Sequence, residues 1–316
     1  MRHHRLVITS SLAAALLSAC GTSTTALPSP NSSVAPNSSI ASNSTISSNS
    51  AAADSSTTTT QESTTALAQS GANFKWVLAS NVLQDLKGYP SLFAKVSAAG
   101  VLEITPSTSN PITGPSIIPA VKFTSAAALE AAVNGKLVPT WARAVVYDPE
   151  HWSFTPLNEQ INPGAASQAA SKVAKGAGYI YVVTPALDLS KAIAPNEPIS
   201  AQLLEEAGVF SQLAVGADAM VIQSQSLQSD ISAFDSLLST ASAEAKQSNP
   251  NIMVLGGLST NGRGVTPTSE SLLSAYESAK NAVQGYWFNV PGQNQYCPNC
   301  PASNQSLAIS FFSLIP

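Results

Sequence analysis

Tyr179-Ile180-Tyr181-Val182-Val183, a helical stretch over Ser200 to Val215, then Gly216 and Ala219-Met220-Val221-Ile222 decide how this chain folds. The two flanking runs are continuously apolar and rich in β-branched residues, as strands covered on both faces are. A tight hairpin cannot contain the long helical connection between them. The unit is therefore a right-handed crossover joining parallel strands.

The same grammar repeats on either side. Upstream lie Trp76-Val77-Leu78-Ala79, Val101-Leu102-Glu103-Ile104 and Ala142-Arg143-Ala144-Val145-Val146-Tyr147. Downstream lie Ile252-Met253-Val254-Leu255 and Tyr286-Trp287-Phe288-Asn289-Val290. Helical patterns over Ala166 to Ala177, Ile231 to Gln247 and Ser269 to Val283 alternate with them, and Gly178, Gly216, Pro250 and Gly285 mark their ends. Alternation of this kind means an α/β fold with a parallel sheet. About 245 residues in one unit match a (β/α)8-type (TIM) barrel, typically about 250. Seven strands are clear, and Ala120-Val121-Lys122-Phe123 is the sole early candidate for an eighth. The tail from Ser303 to Ile315 reads as a helix, with Leu307, Phe311, Leu314 and Ile315 on its apolar face. A doubly wound open sheet is the alternative architecture. No glycine-rich nucleotide fingerprint follows the first strand, so no nucleotide cofactor is expected.

The expected organisation has three parts: a leader over 1–19, a tether over 20–71 and the barrel over 72–316. Arg2 and Arg5 precede an apolar run from Leu6 to Leu17, which is too short to span a bilayer. Leu17-Ser18-Ala19-Cys20-Gly21 follows and resembles the lipobox of bacterial lipoproteins. The resemblance implies that Cys20 becomes the lipidated first residue of an extracytoplasmic protein anchored to the cell membrane. Half of residues 21–70 are Ser or Thr, 25 in all, with Asp54 and Glu62 as the only charges. Such a segment buries too little apolar surface to offset its ordering entropy, so a disordered tether is expected. Its coil length is roughly 40 Å.

Composition narrows the partners. Formal net charge is −4, moving to near −6 once Arg2 and Arg5 leave with the leader, which argues against nucleic acid. Only 10% of residues are charged, a surface poor in titrating groups that would suit an acidic habitat. Cys297-Pro298-Asn299-Cys300 lies in a Pro/Asn-rich loop and reads as a local disulfide of an oxidising exterior. With no second cysteine pair, and His151 the sole histidine after the leader, no metal is expected. A monomer is expected.

In such barrels the active site forms at the C-terminal ends of the strands. Acidic residues are scarce there. Glu103 ends one strand, and Asp148 and Glu150 follow another in Tyr147-Asp148-Pro149-Glu150-His151-Trp152. Two apart, Asp148 and Glu150 point to one side, and their mutual repulsion raises the proton affinity of one. A protonated acid beside a carboxylate is the pairing that glycosidic cleavage uses. The Asp-x-Glu at a strand end resembles the motif of chitinase-like glycosidases. That resemblance implies Glu150 as general acid and Asp148 as its partner. The family's two further aspartates are matched here by Val146 and Arg143. Glu103 is the reserve carboxylate. Tyr147, Trp152 and Trp287 are candidate sugar platforms, and Gln223, Gln225, Asn261 and Asn289 are candidate hydrogen-bonding groups for a carbohydrate or other neutral polar ligand. Gly256-Gly257-Leu258-Ser259-Thr260-Asn261-Gly262-Arg263-Gly264 reads as a flexible loop after its strand. The expected function is glycosidase-like, with a non-catalytic glycan-binding lipoprotein as the competing class and a structural surface lipoprotein as the third.

Overall fold

Each apolar run becomes a strand, and the strands close on themselves in chain order. The computed structural model describes residues 73–262, 266–293 and 301–316. Cys20, the leader, the tether, Arg263, Cys297 and Cys300 lie outside the described residues. The strands are β1 (Trp76–Ala79), β2 (Val101–Ile104), β3 (Ile117–Phe123), β4 (Ala144–Tyr147), β5 (Ile180–Val183), β6 (Ala219–Ile222), β7 (Met253–Ser259) and β8 (Gly285–Asn289). All neighbours are parallel, and β8 pairs with β1 through Trp76↔Tyr286 and Val77↔Trp287 to close the barrel. The architecture is the TIM barrel, not the open sheet.

The eighth strand is β3, and it is longer than Ala120–Phe123. Pro119 lies inside it, a residue that normally argues against a central strand. It is tolerated because β4 begins pairing one residue later, at Ala120↔Ala144.

Alternation divides the strand residues between two cores. Val77, Leu102, Ala120, Val146, Val182, Val221, Leu255 and Trp287 fill the barrel interior. Trp76, Val101, Tyr147, Tyr181, Ile222 and Phe288 face outward under the helices. Three alanines among the interior positions (Ala120, Ala144 and Ala219) leave space that the large Trp287 ring can occupy.

The outer layer contains α1 (Ser80–Lys87), α2 (Pro90–Ala98), α3 (Ala126–Asn134), α4 (Leu157–Ile161), α5 (Pro163–Gly176) and α6 (Ser190–Ile193). It continues with α7 (Ala201–Glu206), α8 (Val209–Ala214), α9 (Ile231–Ser248), α10 (Ser269–Ala279) and α11 (Gln305–Leu314). Expectation and structure also differ at Gly208, at Gly285 and on α11. The helix expected over Ser200 to Val215 is two helices, because Gly208 takes φ +63° between them. Gly285 begins β8 instead of ending a helix. On α11 the buried face is Ala308, Phe311 and Phe312, while Leu314 is exposed. That face joins Trp76, Tyr276 and Phe288 in an aromatic cluster whose stacked Phe288 and Phe311 rings lie 4.7 Å apart.

Candidate functional site

Four neighbouring strands send their inward-facing positions to one point at the C-terminal mouth. Continuing the interior alternation past the last apolar residue reaches Lys122 on β3, Asp148 after β4, Thr184 after β5 and Gln223 after β6. They meet on one carboxylate. Lys122 Nζ lies 2.5 Å from Asp148 Oδ2, and the Thr184 hydroxyl donates to Oδ1 at 2.5 Å. Gln223 Nε2 also donates to Oδ1, at 2.8 Å. Asp148 is wholly buried, and both its oxygens are occupied.

Glu150 stands one step further out. Gln223 Nε2 reaches its Oε1 at 3.4 Å, so one amide bridges both carboxylates, and it donates to the Thr184 carbonyl at 2.9 Å as well. Burial, then the charge of Asp148, push the Glu150 carboxyl up to about 8; Asp188 adds to this, and Lys122 and the Gln223 bond oppose it. The neutral form of the Glu150 carboxyl is thus favoured, and the residue lines a cleft.

The supports are rigid. Strand-like bonding continues past the barrel rim: Asp148 N–H to Phe123 O (2.8 Å), Thr184 N–H to Tyr147 O (2.9 Å), Ala186 N–H to Pro149 O (3.2 Å) and Gln223 N–H to Pro185 O (3.1 Å). Thr155 accepts from Glu150 N–H at 3.3 Å and from Trp152 Nε1 at 2.8 Å. Gln160 holds His151 Nδ1 at 2.7 Å and the Trp152 and Thr155 carbonyls, so His151 braces the loop. The site therefore sits on extended, hydrogen-bonded backbone.

The cleft has a volume of about 200 Å³. Glu150, Asp188, Gln223, Gln225 and Asn261 supply its principal side-chain polar groups, and Leu187 and Ile199 its apolar wall. A second cavity of about 390 Å³ shares Gln225 and Ser226 with it. Gly256 and Gly257 belong to β7 and not to a loop. A side chain at Gly257 would meet the Gln225 amide at 2.7 Å, so this glycine makes the room Gln225 occupies.

Of the residues the sequence singles out, Glu150, Gln223, Gln225 and Asn261 line the cleft and Asp148 lies directly behind it. Trp152 is half-buried, with its ring 5.9 Å from Lys122 Nζ. Trp287 is 6% exposed and packs in the barrel interior, so it offers little face to a sugar. Asn289 sits on the rim, where its carbonyl accepts from Thr260 N–H.

Two candidates are not brought to the cleft. Tyr147 faces outward and donates to Glu159, whose carboxylate also takes the N–H groups of Ala126 and Ala127 at the start of α3. Glu103 also faces outward and is fully buried. Its Oε2 accepts from Ile112 N–H at 2.9 Å, Oε1 has no hydrogen-bond partner among the described residues, and burial raises its pKa. Both sit one residue out of phase with the interior-facing positions.

Lys122, Thr184 and Asp188 were missed. Lys122 and Thr184 carried a readable signal, being polar residues in phase with interior ones at strand ends. Asp188 sits in a 3-10 turn (Leu187–Leu189) five residues past β5, and no periodicity reaches it. Among the described residues no group of three or more His, Cys, Asp or Glu could hold a metal ion. No described helix is long and apolar enough to cross a membrane.

Fold and site together define a TIM-barrel protein with a proton-bearing carboxyl at its mouth. No protein-family model matches the chain, and no curated protein sequence matches it. Solved structures share the barrel at low identity. The carboxyl transferase domain of Rhizobium etli pyruvate carboxylase is 7% identical over 77% of this chain and 47% of that one, with TM-score 0.44. The chain thus spans about half the length of that domain. A proposed alpha-L-fucosidase from Bacteroides thetaiotaomicron is 10% identical over 78% and 94%, with TM-score 0.47. Triosephosphate isomerase from Bartonella henselae is 11% identical over 68% and 91%, with TM-score 0.40. These likenesses concern the fold alone.

Proposed function

We propose that this protein hydrolyses glycosidic bonds of a neutral or acetamido carbohydrate, with Glu150 as general acid. The observation that carries the proposal is the placement of the Glu150 carboxyl on an open cleft, bridged by the Gln223 amide to the buried Asp148, in surroundings that raise its pKa. Proton donation to a departing sugar oxygen needs an acid with a pKa near the working pH. Amide groups along the cleft suit sugar hydroxyls. Asp148, held by Lys122, Thr184 and Gln223, sustains the proton affinity of Glu150 without contacting the ligand. Glu103 and Tyr147 have no part in the reaction, because they face away from it.

The same proposal places the barrel outside the cytoplasm, carried on the Ser/Thr-rich stretch 20–71 and anchored through lipid on Cys20. This rests on the lipobox resemblance and on composition.

A panel of neutral and acetamido oligosaccharides tests the activity. Glu150→Gln is expected to abolish turnover while leaving folding and sugar binding intact. Asp148→Asn is expected to lower activity and move the alkaline limb of the pH profile to lower pH, because the charge that raises Glu150 is gone. Full activity in Glu150→Gln removes it as the acid. Sugar binding without turnover in the wild-type protein would instead identify a glycan-binding lipoprotein.

A further inference from the structure

Glycosidic hydrolysis most commonly uses a pair of carboxyl groups, and Asp148 is badly placed to be the second. It is wholly buried, and Lys122, Thr184 and Gln223 occupy its oxygens. Asp188 has the opposite character. It lines the same cleft as Glu150 and is only partly buried. The backbone N–H of His151 donates to its Oδ1 at 3.0 Å, which fixes the group, while Oδ2 makes no hydrogen bond among the described residues. No lysine or arginine pairs with Asp188 among those residues, whereas Asp148 pairs with Lys122. The turn that carries it is sewn to its neighbours by Ala186, which bonds Pro149 on one side and bridges Gln223 on the other. Asp188 and Glu150 thus project from adjacent, mutually bonded loops into one space.

We infer that Asp188 is the second catalytic carboxylate, the base that activates water, and that Asp148 is a positioning residue behind Glu150. This rests on the glycosidase reading. In the step, Glu150 gives its proton to the departing glycosidic oxygen as the bond to the anomeric carbon breaks. Water forms the new bond to that carbon and gives its proton to Asp188. One water is consumed, and the proton on Asp188 returns to Glu150 through solvent. The charge of Asp188 also contributes to the raised proton affinity of Glu150. Asp148 and Lys122 are the other charged groups acting on Glu150, and the exposed His151 ring is turned to Gln160.

The test uses 2,4-dinitrophenyl glycosides of neutral and acetamido hexoses, whose leaving group departs without a proton. Asp188→Asn keeps the oxygen that His151 N–H needs, so its melting temperature is expected to match wild type. Its kcat is expected to fall by roughly 10²- to 10⁴-fold with KM nearly unchanged. Glu150→Gln is expected to regain most of its rate on these substrates, as an acid does and a base does not. Azide is expected to restore part of the turnover in Asp188→Gly, a second variant that addresses the same point if the first folds poorly. Wild-type activity retained in Asp188→Asn overturns the assignment and leaves the glycosidase reading standing. A wild-type protein that cleaves no member of the panel overturns both.

Discussion

Glu150 keeps its proton into neutral solution because its surroundings penalise the charge: it is largely desolvated, and Asp148 and Asp188 are close. The sign of the effect on stability follows. An acid whose folded pKa of about 8 exceeds its ordinary 4.5 contributes stability that is complete below 4.5 and is lost as pH rises through about 8. The size is on the order of a few kcal/mol at most. Glu150→Gln removes the ionisation and keeps the shape. Its melting temperature is expected to match wild type at pH 4 and to exceed it by several degrees at pH 9. Superimposable melting curves for the two proteins across that range would mean that Glu150 ionises freely in the folded state. The Asp148–Glu150 pairing itself was legible, since spacing by two at a strand end puts both on one side. The counter-charge was not, because Lys122 sits in a run read as a doubtful strand.

Among the elements, β8 and β1 close the barrel with a short pairing, and Gly285 sits where they meet. A side chain there would collide with the Lys75 backbone carbonyl, next to the Tyr286 N–H that bonds it at 2.8 Å. Backbone cannot yield as a side-chain end can. Gly285→Ala is therefore expected to cost about 1–3 kcal/mol or more in urea unfolding. Gly257→Ala, which meets only the end of Gln225, is expected to cost well under half of that while altering the cleft. Equal losses would contradict this account of the closure. Element positions were legible wherever apolar runs were continuous. The break at Gly208 and the strand character of Gly256 and Gly257 were not, because glycine signals turns, loops and close packing alike.

For the whole molecule, the barrel and the proposed anchor belong to different parts of the chain. If Cys20 is lipidated, labelled fatty acid is expected on the wild-type protein, with Cys20→Ser accumulating as unprocessed precursor or soluble protein. Absence of label on wild type would sink the lipobox reading. The sequence by itself determined the parallel α/β alternation, and hence the barrel, because continuous β-branched runs separated by helices have few ways to bury both faces of a sheet. It also placed Asp148, Glu150, Gln223, Gln225 and Asn261 near strand ends. Only the tertiary structure decided which face each strand turns inward. That choice sends Glu103 and Tyr147 under the helices, brings Lys122 and Thr184 onto Asp148, and sets Asp188 against the Glu150 loop at the same cleft. The physical reason is that phase along a strand is local, whereas which phase faces the barrel axis is set by closure of all eight strands together.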